Sequence, residues 1–121
     1  MKKILVVEDD KFLANAYRVK LTKAGFDIKI AYDGDEVAKQ LETFIPDLII
    51  LDLVLPKKDG FKVLEEIKSD ARWKNIPVIV ASNLGQQEDI NKCMKLGANG
   101  YIIKTDLSLS ELVVTINTLL K

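Results

Sequence analysis

Apolar positions along the chain fall into two rhythms that alternate from one end to the other. Ile4–Val7, Leu48–Leu51 and Val78–Ala81 are unbroken apolar runs. A half-buried strand would alternate apolar with polar, so these runs predict strands buried on both faces. Phe26–Ala31 does alternate, setting Phe26, Ile28 and Ile30 against Asp27 and Lys29, which predicts a strand with one wetter face at a sheet edge. Gly100–Ile103 reads as a fifth strand, closed by Lys104.

Helical spacing fills the intervals. Leu13, Tyr17, Leu21 and Ala24 predict a first helix over Lys11–Ala24, its stripe widened by Phe12, Ala16 and Val19, with Gly25 suited to the C-terminal cap. Asp33 and Glu36 have capping-box spacing, so a second helix should run to about Thr43. Asp59-Gly60 opens a third, with Phe61, Leu64 and Ile67 inside and Val63 at the margin, ending near Ser69. Ile90, Met94 and Leu96 belong to a fourth that stops at Gly97. Ser108 and Glu111 cap a last helix with the stripe Leu109, Leu112, Val113, Ile116, Leu119 and Leu120. Alternating strands and helices with right-handed crossovers predict an α/β fold, a parallel sheet covered by helices on both faces. No linker or repeat interrupts it, so residues 1–121 read as a single domain, long enough to hide roughly two-thirds of its unfolded surface.

Charge and composition narrow the function. Eighteen basic residues balance eighteen acidic ones, so direct binding of nucleic acid by this chain is not expected. There is no histidine, which excludes histidine-ligated zinc and a histidine base, and any metal should be held by oxygen. Cys93 is the single cysteine; it and Trp73 read as packing residues, and Lys57-Lys58 as a solvated loop. Lys2-Lys3 is followed by only four apolar residues before Glu8, which is no signal peptide. No run is long enough for membrane insertion, and a cytoplasmic location is expected. The last helix ends at Lys121, so output is expected to come from binding another protein.

The chemistry gathers at the carboxyl ends of the strands, where open α/β sheets bind ligands. The first strand ends in Glu8-Asp9-Asp10, the third in Asp52, the fourth in Ser82 and the fifth in Lys104. Carboxylates crowded at one edge resist ionising unless a cation sits among them. Magnesium suits oxygen ligands and leaves places for phosphate oxygens. A carboxylate beside it can attack phosphorus, while a lysine and a hydroxyl hold the remaining phosphoryl oxygens. On this reading Asp52 accepts the group, Glu8 and Asp9 hold the metal, and Lys104 and Ser82 hold the phosphoryl group.

The segments VVEDD, DLVLPKKDG, PVIVAS and GYIIK, in this order and spacing, resemble the receiver domains of bacterial two-component response regulators across the whole chain. The resemblance implies a flavodoxin-like (βα)5 fold with strand order 2-1-3-4-5. It implies Mg2+-dependent phosphorylation of Asp52 by a histidine kinase or phosphotransfer protein, and no turnover of a separate substrate. Asp9 and Asp52 would bind the metal directly, Glu8 largely through water, and Val54 by its backbone carbonyl. Ser82 and Tyr101 fall at the two switch positions, which in the family swing inward together on phosphorylation. The face formed by the fourth helix, fifth strand and fifth helix would bind the target, the chain being a monomer or a phosphorylation-dependent homodimer.

Blander readings stand beside this one. Asp52 can start a turn, Glu8 to Asp10 can cap a helix, Lys104 can snorkel and Tyr101 can be core. Two other functions are open. A magnesium phosphatase of the haloacid dehalogenase type also uses an aspartyl nucleophile, but needs an acid where this chain has Val54; a pseudo-receiver would dock proteins without being phosphorylated. The chain departs from the family at Thr105, where proline usually follows the lysine, at Asn83, where alanine or glycine is common, and at Leu55, where methionine is frequent. A cis bond before threonine costs about 2.5–4 kcal/mol, so Lys104-Thr105 should be trans, with the loop to Leu107 rerouted.

Overall fold

The computed structural model describes residues 1–106 and 108–120. Strands β1 (Lys3–Val7), β2 (Asp27–Ala31), β3 (Leu48–Leu51), β4 (Val78–Ser82) and β5 (Gly100–Ile103) alternate with helices α1 (Lys11–Lys23), α2 (Gly34–Thr43), α3 (Gly60–Ser69), α4 (Gln87–Lys95) and α5 (Leu109–Leu119). All pairings are parallel, in the order β2-β1-β3-β4-β5. This is the flavodoxin-like arrangement, with the alternating strand β2 at an edge as its pattern predicts.

Two apolar layers hold the sheet. Leu5, Val7, Ile49, Leu51, Val78 and Val80 face α2, α3 and α4, which contribute Val37, Leu41, Val63, Leu64, Ile67 and Cys93. Ile4, Val6, Leu48, Ile50, Ile79 and Ala81 face α1 and α5, which contribute Ala14, Tyr17, Leu21, Leu112 and Ile116. Successive side chains of a strand point to opposite faces, so each apolar run must supply both layers. Asp10, Asp33, Asp59 and Ser108 start α1, α2, α3 and α5, each accepting the backbone N–H of the residue three further on. Such a cap contributes about 1 kcal/mol.

Several side chains lie elsewhere than the spacing suggests. Phe12 is 92% exposed and Val19 51%, while Ala14 is buried in their place. Phe12 and Val19 sit about 140° and 200° around the helix from Tyr17, off the single stripe that a helix can lay on a sheet. Val63 is fully interior rather than marginal, and on α4 the buried residue is Cys93, with Met94 47% exposed. Trp73 packs into the α3 layer as expected. Lys57-Lys58 is more than a solvated loop: Lys58 Nζ lies 2.6 Å from Glu66 Oε1, and Lys57 adopts φ 68° within 3.6 Å of Asp33. The Lys104-Thr105 peptide is trans and enters a single 3-10 turn, Lys104–Asp106; Leu107 lies outside the described residues. Among the described residues no helix is long and apolar enough to cross a membrane.

Candidate functional site

Strand register brings the first acids together. Val7 pairs with Leu51, so Glu8 and Asp52 leave adjacent strand ends one residue later. The backbone continues the alignment, Asp52 N–H donating to Val7 O at 3.1 Å and Glu8 N–H to Ala31 O at 3.0 Å. Alternation then sets direction. Glu8 follows Ile4 and Val6, Asp52 follows Leu48 and Ile50, and Lys104 follows Ile102, all on the α1/α5 side of the sheet. Ser82 and Tyr101 have the opposite parity, toward α4.

Lys104 is the hub. Its Nζ lies 2.5 Å from Glu8 Oε1 and 2.9 Å from Asp52 Oδ2. Glu8 is 1% exposed and Asp52 6%. Burial works to lower the Lys104 pKa, but its bonds to Glu8 and Asp52 outweigh that, and the ammonium is held above its ordinary value. Burial raises the Glu8 carboxyl, and the Lys104 ammonium and the Asp10 amide offset it only in part. Glu8 Oε2 accepts from Asp10 N–H at 3.1 Å, and Oε1 forms the ion pair with the Lys104 ammonium. Asp52 Oδ1 accepts from Val54 N–H at 3.2 Å.

The three consecutive acids after β1 have three different positions. Glu8 is buried, Asp9 is exposed at the rim and Asp10 caps α1. Glu8, Asp9 and Asp52 each offer a carboxylate oxygen, and these atoms lie within 4.8 Å of one another. A set of oxygen donors only, with solvent access at Asp9, suits a small hard dication. Val54 has a 62% exposed side chain beside Asp52.

Ser82 is fully buried, and its Oγ accepts from Leu84 N–H at 3.2 Å. No hydrogen bond links it to Asp52 among the described residues. The Tyr101 hydroxyl donates to Leu84 O, so both residues hold the same loop between β4 and α4. Burial above all, then the Cys93 sulfur, raises the Tyr101 phenol, with the Ser82 hydroxyl pulling the other way. Two features were not predicted from the sequence: the Asp10 amide that orients Glu8, and the Tyr17 phenol, buried without a hydrogen-bond partner. The cap spacing of Asp10 could have pointed to the first; nothing in the pattern marked the second.

Comparison with known proteins agrees with this geometry. The response regulator receiver domain family matches residues 4–117. The DNA-binding dual master transcriptional regulator RpaA of Synechocystis is 36% identical over 124 residues, covering 100% of this chain and 50% of its own. The chain spans about half the length of the curated relatives it matches. Among solved structures, the receiver domain of Francisella response regulator 1452 superposes with a TM-score of 0.91 at 32% identity, covering 99% of this chain and 97% of that one. The phosphorylated cyanobacterial phytochrome response regulator RcpA gives 0.84 at 38% identity, over 97% and 89%. With a buried aspartate, a lysine and an acidic rim where the sheet opens, the chain belongs to the receiver domains of two-component response regulators, a family phosphorylated on aspartate.

Proposed function

We propose that Asp52 is the phosphoacceptor, that the donor is a histidine kinase or phosphotransfer protein, and that phosphorylation changes the affinity of this chain for a protein target. The observation that carries the reading is the Lys104 ammonium 2.9 Å from Asp52 Oδ2 at the edge of a carboxylate trio. An Asp52 oxygen forms the new bond to phosphorus while the bond from phosphorus to the donor nitrogen breaks, its electron pair staying on that nitrogen. Lys104 can turn from Asp52 to a phosphoryl oxygen without leaving the site, and Ser82 can offer its hydroxyl to another. Glu8, Asp9, Asp52 and the Val54 carbonyl would hold Mg2+, which when bound supplies positive charge at the transferred oxygens. RcpA, known as a phosphorylated protein, supports the same chemistry here.

The phosphatase alternative lacks its acid, because Val54 occupies that position. The chain therefore catalyses its own phosphoryl transfer and hydrolysis and no separate turnover. The output surface is α4, β5 and α5, bordered by Tyr101, and a cytoplasmic location fits a histidine-kinase partner. Acetyl phosphate with Mg2+ tests the site. Native protein is labelled and Asp52→Asn is not; labelling that survives in Asp52→Asn and vanishes in Asp9→Asn or Asp10→Asn overturns the assignment. For the switch, Tyr101→Ala should bind a captured target equally with and without phosphorylation. Undiminished discrimination counts against the α4-β5-α5 route.

A further inference from the structure

Helices α2 and α3 leave a cavity of about 480 Å³ between them. Its floor is apolar, made of Val37 and Leu41 from α2, Val63 and Ile67 from α3, and Trp73 from the turn before β4. Size and lining are those of a small-molecule site, which is mostly apolar with a few polar groups that fix orientation. The sequence explains the space. Gly34, Ala38 and Glu42 follow one another at intervals of four along α2, so they share the face that lines the cavity. Gly34 has to be small, because a Cβ there would lie 2.4 Å from the Lys58 carbonyl oxygen. Ala38 is exposed, and its single methyl leaves the opening unfilled.

Charge decides what would enter. Three acids, Glu42, Glu66 and Asp70, and two bases, Lys58 and Arg72, line the cavity. Both bases are already taken: Lys58 Nζ lies 2.6 Å from Glu66 Oε1, and Arg72 Nη2 lies 2.9 Å from Asp70 Oδ2. Glu42 is left without a base of its own, so the cavity disfavours an anion and attracts a cation. The protein itself shows how a cation sits here. The Arg72 guanidinium lies 4.2 Å over the Trp73 ring, with the Asp70 carboxylate at its edge. The Arg72 side chain is 62% exposed, so this pairing holds weakly and can be exchanged for an equivalent cation.

We propose that the cavity between α2 and α3 is a binding site for a small organic cation, an amine or guanidine carried on an aromatic or aliphatic body. The body lies on the apolar floor of Val37, Leu41 and Ile67, and the charged head takes the place of the Arg72 guanidinium against Trp73 and Asp70. The cavity shares no residue with the acidic site, and the proposal stands apart from the phosphorylation of Asp52.

Trp73 is the only tryptophan, so its fluorescence reports on the cavity in the full chain. The probes are phenylbutylamine, phenylbutanol and phenylbutyrate, which share one body and differ in charge. The amine should change Trp73 emission saturably and bind about tenfold tighter than the alcohol, with the carboxylate weakest. Asp70→Asn combined with Glu42→Gln should bring amine and alcohol to equal affinity. Ala38→Phe, at an exposed position, should fill the opening and abolish the effect of the amine while labelling by acetyl phosphate stays native. No saturable change with the amine overturns the proposal, and so does equal affinity of the native chain for all three probes. Amine binding that survives Ala38→Phe, or a preference for the amine undiminished in the Asp70→Asn, Glu42→Gln chain, overturns it as well.

Discussion

The two ends of the sheet use the same residue types to opposite effect. At the amino end, Lys68 Nζ donates to the carbonyls of Ile76 at 2.8 Å and Lys74 at 3.2 Å, and to Asn99 Oδ1 at 3.3 Å. Asn99 Oδ1 also accepts from Val78 N–H at 3.0 Å, while Asn99 N–H donates back to Val78 O. Asp47 closes the neighbouring gap in the same way, exchanging bonds with the Lys3 backbone. At the carboxyl end, Lys104 meets two carboxylates. Burial lowers the Lys68 pKa, whereas Lys104 is raised in spite of burial. A side chain bonded to peptide groups finishes the backbone's hydrogen bonding and has little left to give. One held by other side chains can exchange them for a ligand, because incoming metal and phosphoryl charge replace what is lost. The amino end stabilises the fold; the carboxyl end keeps its charges available.

The widest separation between the ends should appear in phosphoryl lifetime. In the family, side chains two residues after the phosphorylated aspartate and after the switch hydroxyl tune hydrolysis; on the proposed assignment of Asp52 and Ser82 to those roles, these are Val54 and Leu84, neither able to orient water. The phosphorylated chain should therefore be long-lived, and Val54→Asn with Leu84→Glu should speed dephosphorylation about tenfold or more, given what a positioned proton acceptor contributes. A double variant no faster than native would shift attention to Asn83 or to the turn after Lys104. Melting should be nearly unaffected, which separates this end from the other.

Asn99→Ala attacks the amino end. It strands the Val78 amide and one Lys68 bond, and should cost about 1–2 kcal/mol in denaturant titration. Labelling by acetyl phosphate should proceed at the native rate in the folded fraction. Slower labelling without lost stability would break the comparison.

Strain sharpens it further. Lys57, in the loop after Asp52, has the positive φ that side chains other than glycine and asparagine adopt at a cost. Its ion pair with Asp33 is long, at 3.6 Å, and the lysine side chain is 63% exposed, so Lys57→Asn should raise stability by up to about 1 kcal/mol. Unchanged or reduced stability would show that the Asp33 contact outweighs the backbone.

The smallest effect concerns acid. The Glu36 amide above all, helped by Lys57, holds the Asp33 carboxyl below its usual 3.8. A lowered folded-state pKa contributes stability above the unfolded value that is lost as pH falls through the folded one. Native protein should thus lose this contribution below about pH 4, and Asp33→Asn, which still caps α2, should show a shallower fall in melting temperature there. Parallel acid curves would remove Asp33 from the account.

Much of this architecture was legible before any coordinates. The apolar runs, the alternating Phe26–Ala31, the cap spacings at Asp33 and Ser108 and the acids at strand ends are local patterns, fixed by backbone periodicity and by unpaired helix amides. From those patterns the sequence by itself determined that five strands and five helices alternate and that Glu8, Asp52, Ser82 and Lys104 lie at one edge. Strand order came only with the resemblance to receiver domains, since periodicity carries none. Tertiary structure alone decided the division of labour among Glu8, Asp9 and Asp10, the outward turn of Phe12, the clamp of Lys68 on Asn99 and the buried phenol of Tyr17. The reason is range. Lys104 and Asp52 are 52 residues apart, and Lys68 and Asn99 are 31. Which charge meets a carboxylate and which meets a carbonyl depends on where the chain returns, not on its neighbours in sequence.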